Sequence, residues 1–332
     1  MKKKKIVGLT SLLFGIILLL SACGGGAKNI AIGPPASETN SASKLIFDAY
    51  DIGEDDYKEF QEGFGDAADG VQDGNIDISV GILGIPAGSI ESLQASAGDV
   101  KMLELSDEAI SYIEENSGYK HFTIPEDTYE FLDSDVDTVA AFAILMANTD
   151  TIDEELGYEL AKSMIENADE NTHTQAEQMT LENALKGAEG LPIHPGAKRY
   201  YEEQGLTVDN PVAELSADEA GRDSELILGT GSQGGTYYPL GGEMANIWNN
   251  HLDVNITNTE TGASVENLSS IRDGNMDLGM TVHTPALDAL AGEGDFEDST
   301  VENAAFIGHI YPEIIQIVTR KNSGIDSLDD LK

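Results

Sequence analysis

Basic residues are scarce in this sequence of 332 residues. Lysine and arginine together number 18, against 60 aspartate and glutamate residues, and the formal net charge is -42. Proteins bind nucleic acids through clusters of lysine and arginine, so this balance argues against nucleic acid as a partner. Hydrophobic residues nevertheless make up 40% of the chain, which is enough for a folded core and is unlike a disordered acidic tail.

The sequence also lacks the usual signatures of catalysis and metal binding. It contains a single cysteine, so no disulfide can form within the chain. The six histidines are scattered without metal-ligand spacing, and there is no Gly-x-Ser-x-Gly motif. We therefore expect a protein that is not an enzyme and that holds neither a metal nor a cofactor.

A secretory signal is predicted at the N-terminus. Four lysines precede an apolar run over residues 6–20, which is shorter than the roughly 20 residues of a membrane-spanning helix. The next residues resemble a bacterial lipobox, and this resemblance implies that Cys23 becomes the lipid-anchored first residue of the mature chain. An uncleaved membrane helix is the alternative.

Both interpretations place the folded part outside the membrane. We expect a signal peptide over residues 1–22 and a lipid-anchored tether over residues 23–27, in which three glycines follow the cysteine. The expected location is extracytoplasmic, either on the outer face of the cell membrane or in a periplasm.

Short apolar runs alternate with helical patterns in two parts of the chain, which is typical of α/β architecture with mainly parallel sheets. Strands are predicted over residues 29–33, 76–82, 226–229, 254–257 and 276–282. Helices are predicted over residues 37–50, 64–73, 240–251 and 264–273. An Asp-Gly-Asn turn joins a helix to a strand at residues 73–75 and again at residues 273–275, as two similar halves would require.

The most informative motif spans residues 229–242, which read GTGSQGGTYYPLGG. It follows a predicted strand and opens a helix, so its glycines can expose backbone N–H groups beside the positive end of the helix dipole. Such a junction favours an anion, for example a carboxylate. We select five ligand contacts from it: Ser232, Gly235, Thr236, Tyr237 and Tyr238.

Two alternatives remain open for this loop. Its glycines also fit the dinucleotide fingerprint Gly-x-Gly-x-x-Gly, and Glu260 follows the next strand as that motif requires. The chain would then be an exported oxidoreductase that uses NAD. Against this, little NAD is found outside cells, and two tyrosines and a proline crowd the start of the helix. The second alternative is a turn with a structural role only.

Two further junctions of a strand with a helix add candidate contacts. Residues 261–268 read TGASVENL and supply Thr261 and Ser264, although Ser264 could serve only to cap the helix. Residues 33–40 read GPPASETN and supply Ser37 and Thr39. Ligands of open α/β sheets bind beyond the carboxyl ends of the strands, so we expect all three junctions to face one cleft.

Together these motifs resemble the TAXI-type solute-binding proteins of TRAP transporters. Residues 226–332 are similar to the N-terminal third of that family, through the first two motifs and the sequence Tyr-Pro-Glu that begins at Tyr311. Residues 28–206 are similar to the remainder. The segments that carry this second similarity are residues 33–40, 67–86, 123–129 and 194–201.

The resemblance implies a two-lobed fold like that of type II periplasmic binding proteins. It further implies that a small carboxylate or amino acid, such as glutamate or 2-oxoglutarate, is delivered to a TRAP-type membrane permease. We add Tyr311 to the expected ligand contacts. A structural lipoprotein that binds nothing is a further alternative.

The two similar regions stand in the opposite order to that of the family, which indicates a circular permutation. Joining the end of the chain to residue 28 would restore the family order, and the linker predicted at residues 207–225 would bridge the former ends. One lobe is then expected to combine residues 226–313 with residues 139–206. The other lobe is expected to combine residues 28–138 with residues 314–332.

Overall fold

The computed structural model of the protein describes residues 27–221 and 223–332. The predicted signal peptide and the anchor residue Cys23 lie outside these ranges. The strands are β1 (Lys28–Ala31), β2 (Tyr57–Phe60), β3 (Ile78–Leu83), β4 (Val100–Leu103), β5 (Lys120–Ile124), β6 (Val136–Asn148), β7 (Glu225–Gly229), β8 (Asn255–Thr259), β9 (Leu278–Val282) and β10 (Ala304–Arg320).

The α-helices are α1 (Glu38–Ala49), α2 (Phe64–Asp73), α3 (Gly88–Ala97), α4 (Asp107–Asn116), α5 (Glu154–Glu166), α6 (Pro195–Glu203), α7 (Tyr237–His251), α8 (Ser264–Arg272) and α9 (His283–Ala291). Each helix and strand predicted from the sequence is present, with boundaries shifted by a few residues. Within the described ranges, no helix combines the length and the apolar character needed to cross a bilayer.

The strands form one mixed sheet in the order β2-β1-β3-β10-β6-β9-β7-β8, with β4 pairing with β10 and β5 with β6. The strands β1, β2 and β3 are parallel to one another, and so are β7, β8 and β9. Between these groups, β6 and β10 run antiparallel to each other and to their neighbours. The predicted α/β fold is confirmed, but its sheet is parallel only toward the edges.

The two long central strands belong to both halves of the molecule. Strand β10 pairs with β6 along residues 304–314 and with β3 along residues 314–319. It is buried at all but two of its positions, as expected for a strand that is covered by helices on both faces. The halves are therefore joined through a continuous ladder of backbone hydrogen bonds.

Apolar side chains form three buried clusters around the sheet. One cluster fills the half of the molecule that we call the first half, in which helices α5 to α9 surround strands β6 to β9. The second half contains helices α1 to α4 and has a cluster on each face of its sheet. Helices α1 and α4 cover Ile315 and Ile317, whereas α2 and α3 cover Ile314 and Val318. This division follows from the period of two along a strand.

The predicted linker at residues 207–225 lies against the first half. Val208 is buried. The N–H of Ile193 donates to the carbonyl of Pro211 (2.8 Å), and the N–H of Ala213 donates back to Ile193 (2.9 Å). The segment is thus held in place by backbone hydrogen bonds, although most of it forms no helix or strand.

The two Asp-Gly-Asn turns have the same structural role. Both glycines adopt the left-handed backbone conformation. Two residues after the first turn, Asp77 Oδ2 accepts a hydrogen bond from the N–H of Asn29 in β1 (2.8 Å). At the corresponding place in the other half, Asp277 Oδ2 accepts from the N–H of Ile227 in β7 (2.8 Å). Each aspartate ties the third strand of its half to the first.

Candidate functional site

A small cavity lies between the two halves, where the helices α1, α7 and α8 begin. Its volume is about 60 Å³, and residues at the start of each of these three helices line it. Apolar walls come from Phe64 at the start of α2 and from Val80 to Leu83 in β3. The cavity is therefore at the carboxyl ends of the first and third strands of both halves.

Most of the contact residues predicted from the sequence meet in this cavity. The predicted residues that line it are Ser37, Thr39, Ser232, Gly235, Thr236, Tyr237 and Ser264. They come from all three predicted junctions, which lie far apart in the sequence. Their role as ligand contacts stays a prediction.

The other three predicted contacts lie outside the cavity lining. The hydroxyl of Thr261 donates to Asn267 Oδ1 (2.7 Å) and so braces the strand-to-helix junction. Tyr311 is fully buried and donates its hydroxyl to Glu313. Tyr238 follows Tyr237 in α7 and is half-buried, and its carbonyl accepts a hydrogen bond from the side-chain amide of Asn258 (3.0 Å).

The three helices differ in how their first turns are capped. The N-cap of α1 is Ser37, whose Oγ accepts from the N–H of Asn40 (3.2 Å). The N-cap side chains of α7 (Thr236) and α8 (Ala263) make no capping hydrogen bond to their own helix, and Ala263 has a φ of 70°. Because the first N–H groups of a helix have no partner within it, the first turns of α7 and α8 place donors beside the cavity. In α8, the N–H of Glu266 already donates to the carbonyl of Ala36 (3.2 Å).

Two glutamates that the sequence analysis did not select also line the cavity. The first is Glu38, which begins α1 and is 9% exposed. Its Oε1 accepts hydrogen bonds from the hydroxyls of Tyr119 (2.8 Å) and Thr284 (3.1 Å). Burial raises the pKa of Glu38 to about 7, although these two donors act to lower it.

The second glutamate is Glu313, which lies in β10 and is 3% exposed. Its carboxyl group accepts from the hydroxyl of Tyr237 (3.1 Å) and from that of Tyr311. Burial raises the pKa of Glu313 to about 8. The signal that could have identified it is a single acidic residue within a long apolar run. Burying a carboxyl group costs free energy, so such a residue often belongs to a functional site.

Direct contacts between the two halves close the cleft around the cavity. The N–H of Gly84 donates to Thr236 Oγ1 (3.0 Å), across the cleft. The glycine-rich loop lies against the start of α2, where a Cβ atom added to Gly234 would collide with the backbone of Gly65. Gly234, the third glycine of the dinucleotide pattern, is therefore needed for this contact between the halves. Glu260, the acidic residue of that pattern, accepts a hydrogen bond from the side chain of Gln233 (2.9 Å).

Comparison with known proteins assigns the family. The model of the NMT1-like family matches residues 24–205 and 228–332, which are most of the chain. The chain belongs to the NMT1-like family, and this membership makes it a solute-binding protein of the periplasmic type. The gap between the matched segments, residues 206–227, contains the whole of the predicted linker.

Solved structures of similar proteins include the binding component of an ABC phosphonate transporter from Pseudomonas aeruginosa, at 13% identity and a TM-score of 0.40, covering 90% of this chain and 70% of that one. Another is the substrate-binding protein of an amino acid ABC transporter, at 8% identity and a TM-score of 0.39, with coverage of 92% and 89%. A third is PhnD1 from Prochlorococcus marinus in complex with methylphosphonate, at 9% identity and a TM-score of 0.40, with coverage of 90% and 77%. Such distant similarities do not define the ligand of this chain.

We predict that Gly234→Ala prevents full closure of the cleft, because the added methyl group would collide with the backbone of Gly65. The variant should fold normally and lose at least about tenfold in ligand affinity, the effect of about 1.4 kcal/mol. Small-angle scattering should show a more open molecule. Gly88→Ala is a matched control, since nothing lies within 4 Å of its added Cβ atom. Wild-type affinity in Gly234→Ala would contradict the prediction.

Proposed function

We propose that the protein is the extracytoplasmic solute-binding component of a TRAP-type transporter of the TAXI subtype. Its ligand is a small carboxylate or amino acid, such as glutamate or 2-oxoglutarate. The observation that supports this most directly is the convergence of three strand-to-helix junctions on one cavity between the halves. The residues there are those through which the sequence resembles the TAXI-type proteins.

Ligand capture in this proposal works by closure of the two halves. Ser232 and Tyr237 belong to one half, whereas Ser37 and Thr39 belong to the other, and all four line the cavity. A ligand in contact with both sets stabilises the closed state in proportion to its preference for that state over the open one. The shared strands β6 and β10 would serve as the hinge.

The lipid anchor at Cys23 and the TRAP permease stay predictions from the sequence. The anchor would hold the protein beside the permease, which draws on an ion gradient and needs no ATPase in the family that the sequence resembles. If Cys23 carries the lipid, Cys23→Ala should move the protein from the membrane to the soluble fraction of cells. Retention of the variant in the membrane fraction would count against a lipid anchor.

The circular permutation is also a proposal, and the core supports it. Ile30, near the start of the described chain, shares a buried cluster with Leu328 and Leu331 at its end. The two ends therefore belong to one compact part of the molecule. A direct connection between them is physically simple.

A rearranged chain tests the permutation. We expect a protein that begins at residue 214, continues to residue 332 and is joined by a short glycine-serine linker to residues 28–213 to keep the fold. This cut leaves the contacts of Val208 and Pro211 in place. Circular dichroism and thermal unfolding should give the spectrum and the cooperative transition of the present chain. An aggregated or non-cooperative product would argue that residues 207–225 do more than bridge former ends.

Ligand binding is tested by thermal unfolding of the protein with amino acids, keto acids and dicarboxylates. A ligand at 100 times its dissociation constant should stabilise the fold by about 2.7 kcal/mol. The double variant Ser232→Ala and Ser264→Ala should reduce that shift, because both hydroxyls line the cavity. NAD belongs in the panel, since a shift with NAD alone would favour the dinucleotide alternative. A cooperative transition that no compound moves would refute the proposed ligand class.

A further inference from the structure

The charges around the cavity are unlike those expected for a ligand that is only an anion. Two carboxyl groups line it, those of Glu38 and Glu313. In the part of the chain that the structure describes, no lysine, arginine or histidine lines it. We propose that the cleft selects a ligand with an ammonium group, held by these two carboxyl groups, over a ligand of the same shape without one. This inference rests on the proposed function, because it concerns the ligand of the same cavity.

Glu38 presents an acceptor within a buried environment. Both of its hydroxyl donors, Tyr119 and Thr284, bond to Oε1. Among the described residues, none donates to Oε2. Glu38 lines the cavity and is 9% exposed, so its second oxygen is an acceptor without a donor among the described residues at the edge of the ligand site.

Glu313 adds acceptors from the strand that both halves share. Each of its oxygens takes one tyrosine hydroxyl, from Tyr237 or from Tyr311, and a carboxylate oxygen can accept a second hydrogen bond. An ammonium group carries three N–H donors and no acceptor. It therefore matches a site whose charged groups are two carboxylates from different elements.

The same cavity also offers a place for a carboxylate. The helices α7 and α8 begin beside it, at Tyr237 and Ser264, and helix N-termini favour negative groups. An α-amino acid places opposite charges on one small molecule, so both kinds of site are satisfied at once. A keto acid or dicarboxylate would leave the buried carboxyl groups without a cation and add a like charge beside them.

The pH dependence of binding follows from the groups around the two glutamates. Three tyrosines with raised pKa values face the glutamates: Tyr119, Tyr237 and Tyr311. Glu38 also lines a second surface depression next to the cavity, where the only cation among the described residues is Lys44. Asp288 and Asp295 lie near Glu38 and raise its pKa further.

Both glutamates are partly protonated at neutral pH, because burial raises their pKa values to about 7 and about 8. An ammonium ligand favours their ionised forms, so binding should release protons, and affinity should rise between about pH 6 and pH 8. An anionic ligand favours the protonated forms. It would take up protons, and its affinity would fall as the pH rises above about 7.

The experiment is isothermal titration calorimetry of the purified full-length protein with matched ligand pairs. L-glutamate and 2-oxoglutarate differ in having an amino or a keto group, and L-alanine and pyruvate form a smaller pair. We expect the amino acid of at least one pair to bind about tenfold or more tightly than its keto acid, as loss of a charged hydrogen bond implies. Titrations in buffers of different ionisation enthalpy should show proton release.

Substitutions assign this selectivity to the two carboxyl groups. Glu313→Gln and Glu38→Gln should each reduce the preference for the amino acid over the keto acid, whereas Glu260→Gln should not. Glu260 is a suitable control because it is exposed beside the glycine-rich loop and does not line the cavity. Circular dichroism establishes that each variant is folded. If a variant does not fold, the ligand pairs and proton counts on the unaltered protein still decide.

Each result has a distinct meaning. A keto acid that binds as tightly as its amino acid, with proton uptake, would overturn the ammonium inference and leave the proposed function intact. Unchanged selectivity in both folded glutamine variants would also overturn it. If no compound in either pair or in the wider panel binds, the proposed function itself fails, and the inference fails with it.

Discussion

Pairing between β6 and β10 fixes the geometry on which the remainder of the structure depends. In the sheet of the described residues, the three parallel strands of one half are connected by strand pairing to those of the other half through this ladder alone. The register of β10 against β6 shifts twice, between Phe306 and Gly308 and between His309 and Tyr311. Such irregularities bend a strand and increase its twist. They lie shortly before Glu313, at the point where β10 passes from one half to the other.

The start of α7 couples three properties of the cleft. Thr236 accepts the hydrogen bond that joins the halves, from Gly84. The next residue, Tyr237, donates to the buried carboxyl group of Glu313 in the shared strand. Both residues also line the cavity. Because the strength of a buried hydrogen-bond network depends on all its members, closure, ligand contact and the state of the glutamate are linked through two adjacent residues.

Local patterns made β1, β3, β7, β8 and β9 predictable, because these short strands stand next to turns and helical patterns in the sequence, whereas the edge strand β2 was not predicted. The long strands β6 and β10 escaped prediction, since a strand buried on both faces is a continuous apolar run without a diagnostic period. Cavity-lining hydroxyls such as that of Ser232 could be predicted because they lie in junction motifs. Glu38 was not predicted, because its burial depends on partners such as Tyr119 and Thr284, which only the tertiary structure brings near.

The sharing of one core by the first and last strands has a consequence for when the protein can fold. Ile30 is buried together with Leu328 and Leu331, so this core cannot form until nearly the whole chain has been synthesised. Folding slows as the sequence separation of contacting residues grows, because the entropy cost of closing a long loop comes before the stabilisation by the contacts that the loop allows. Late completion of this core is compatible with the export that the N-terminal sequence predicts, because an exported chain crosses the membrane before it folds.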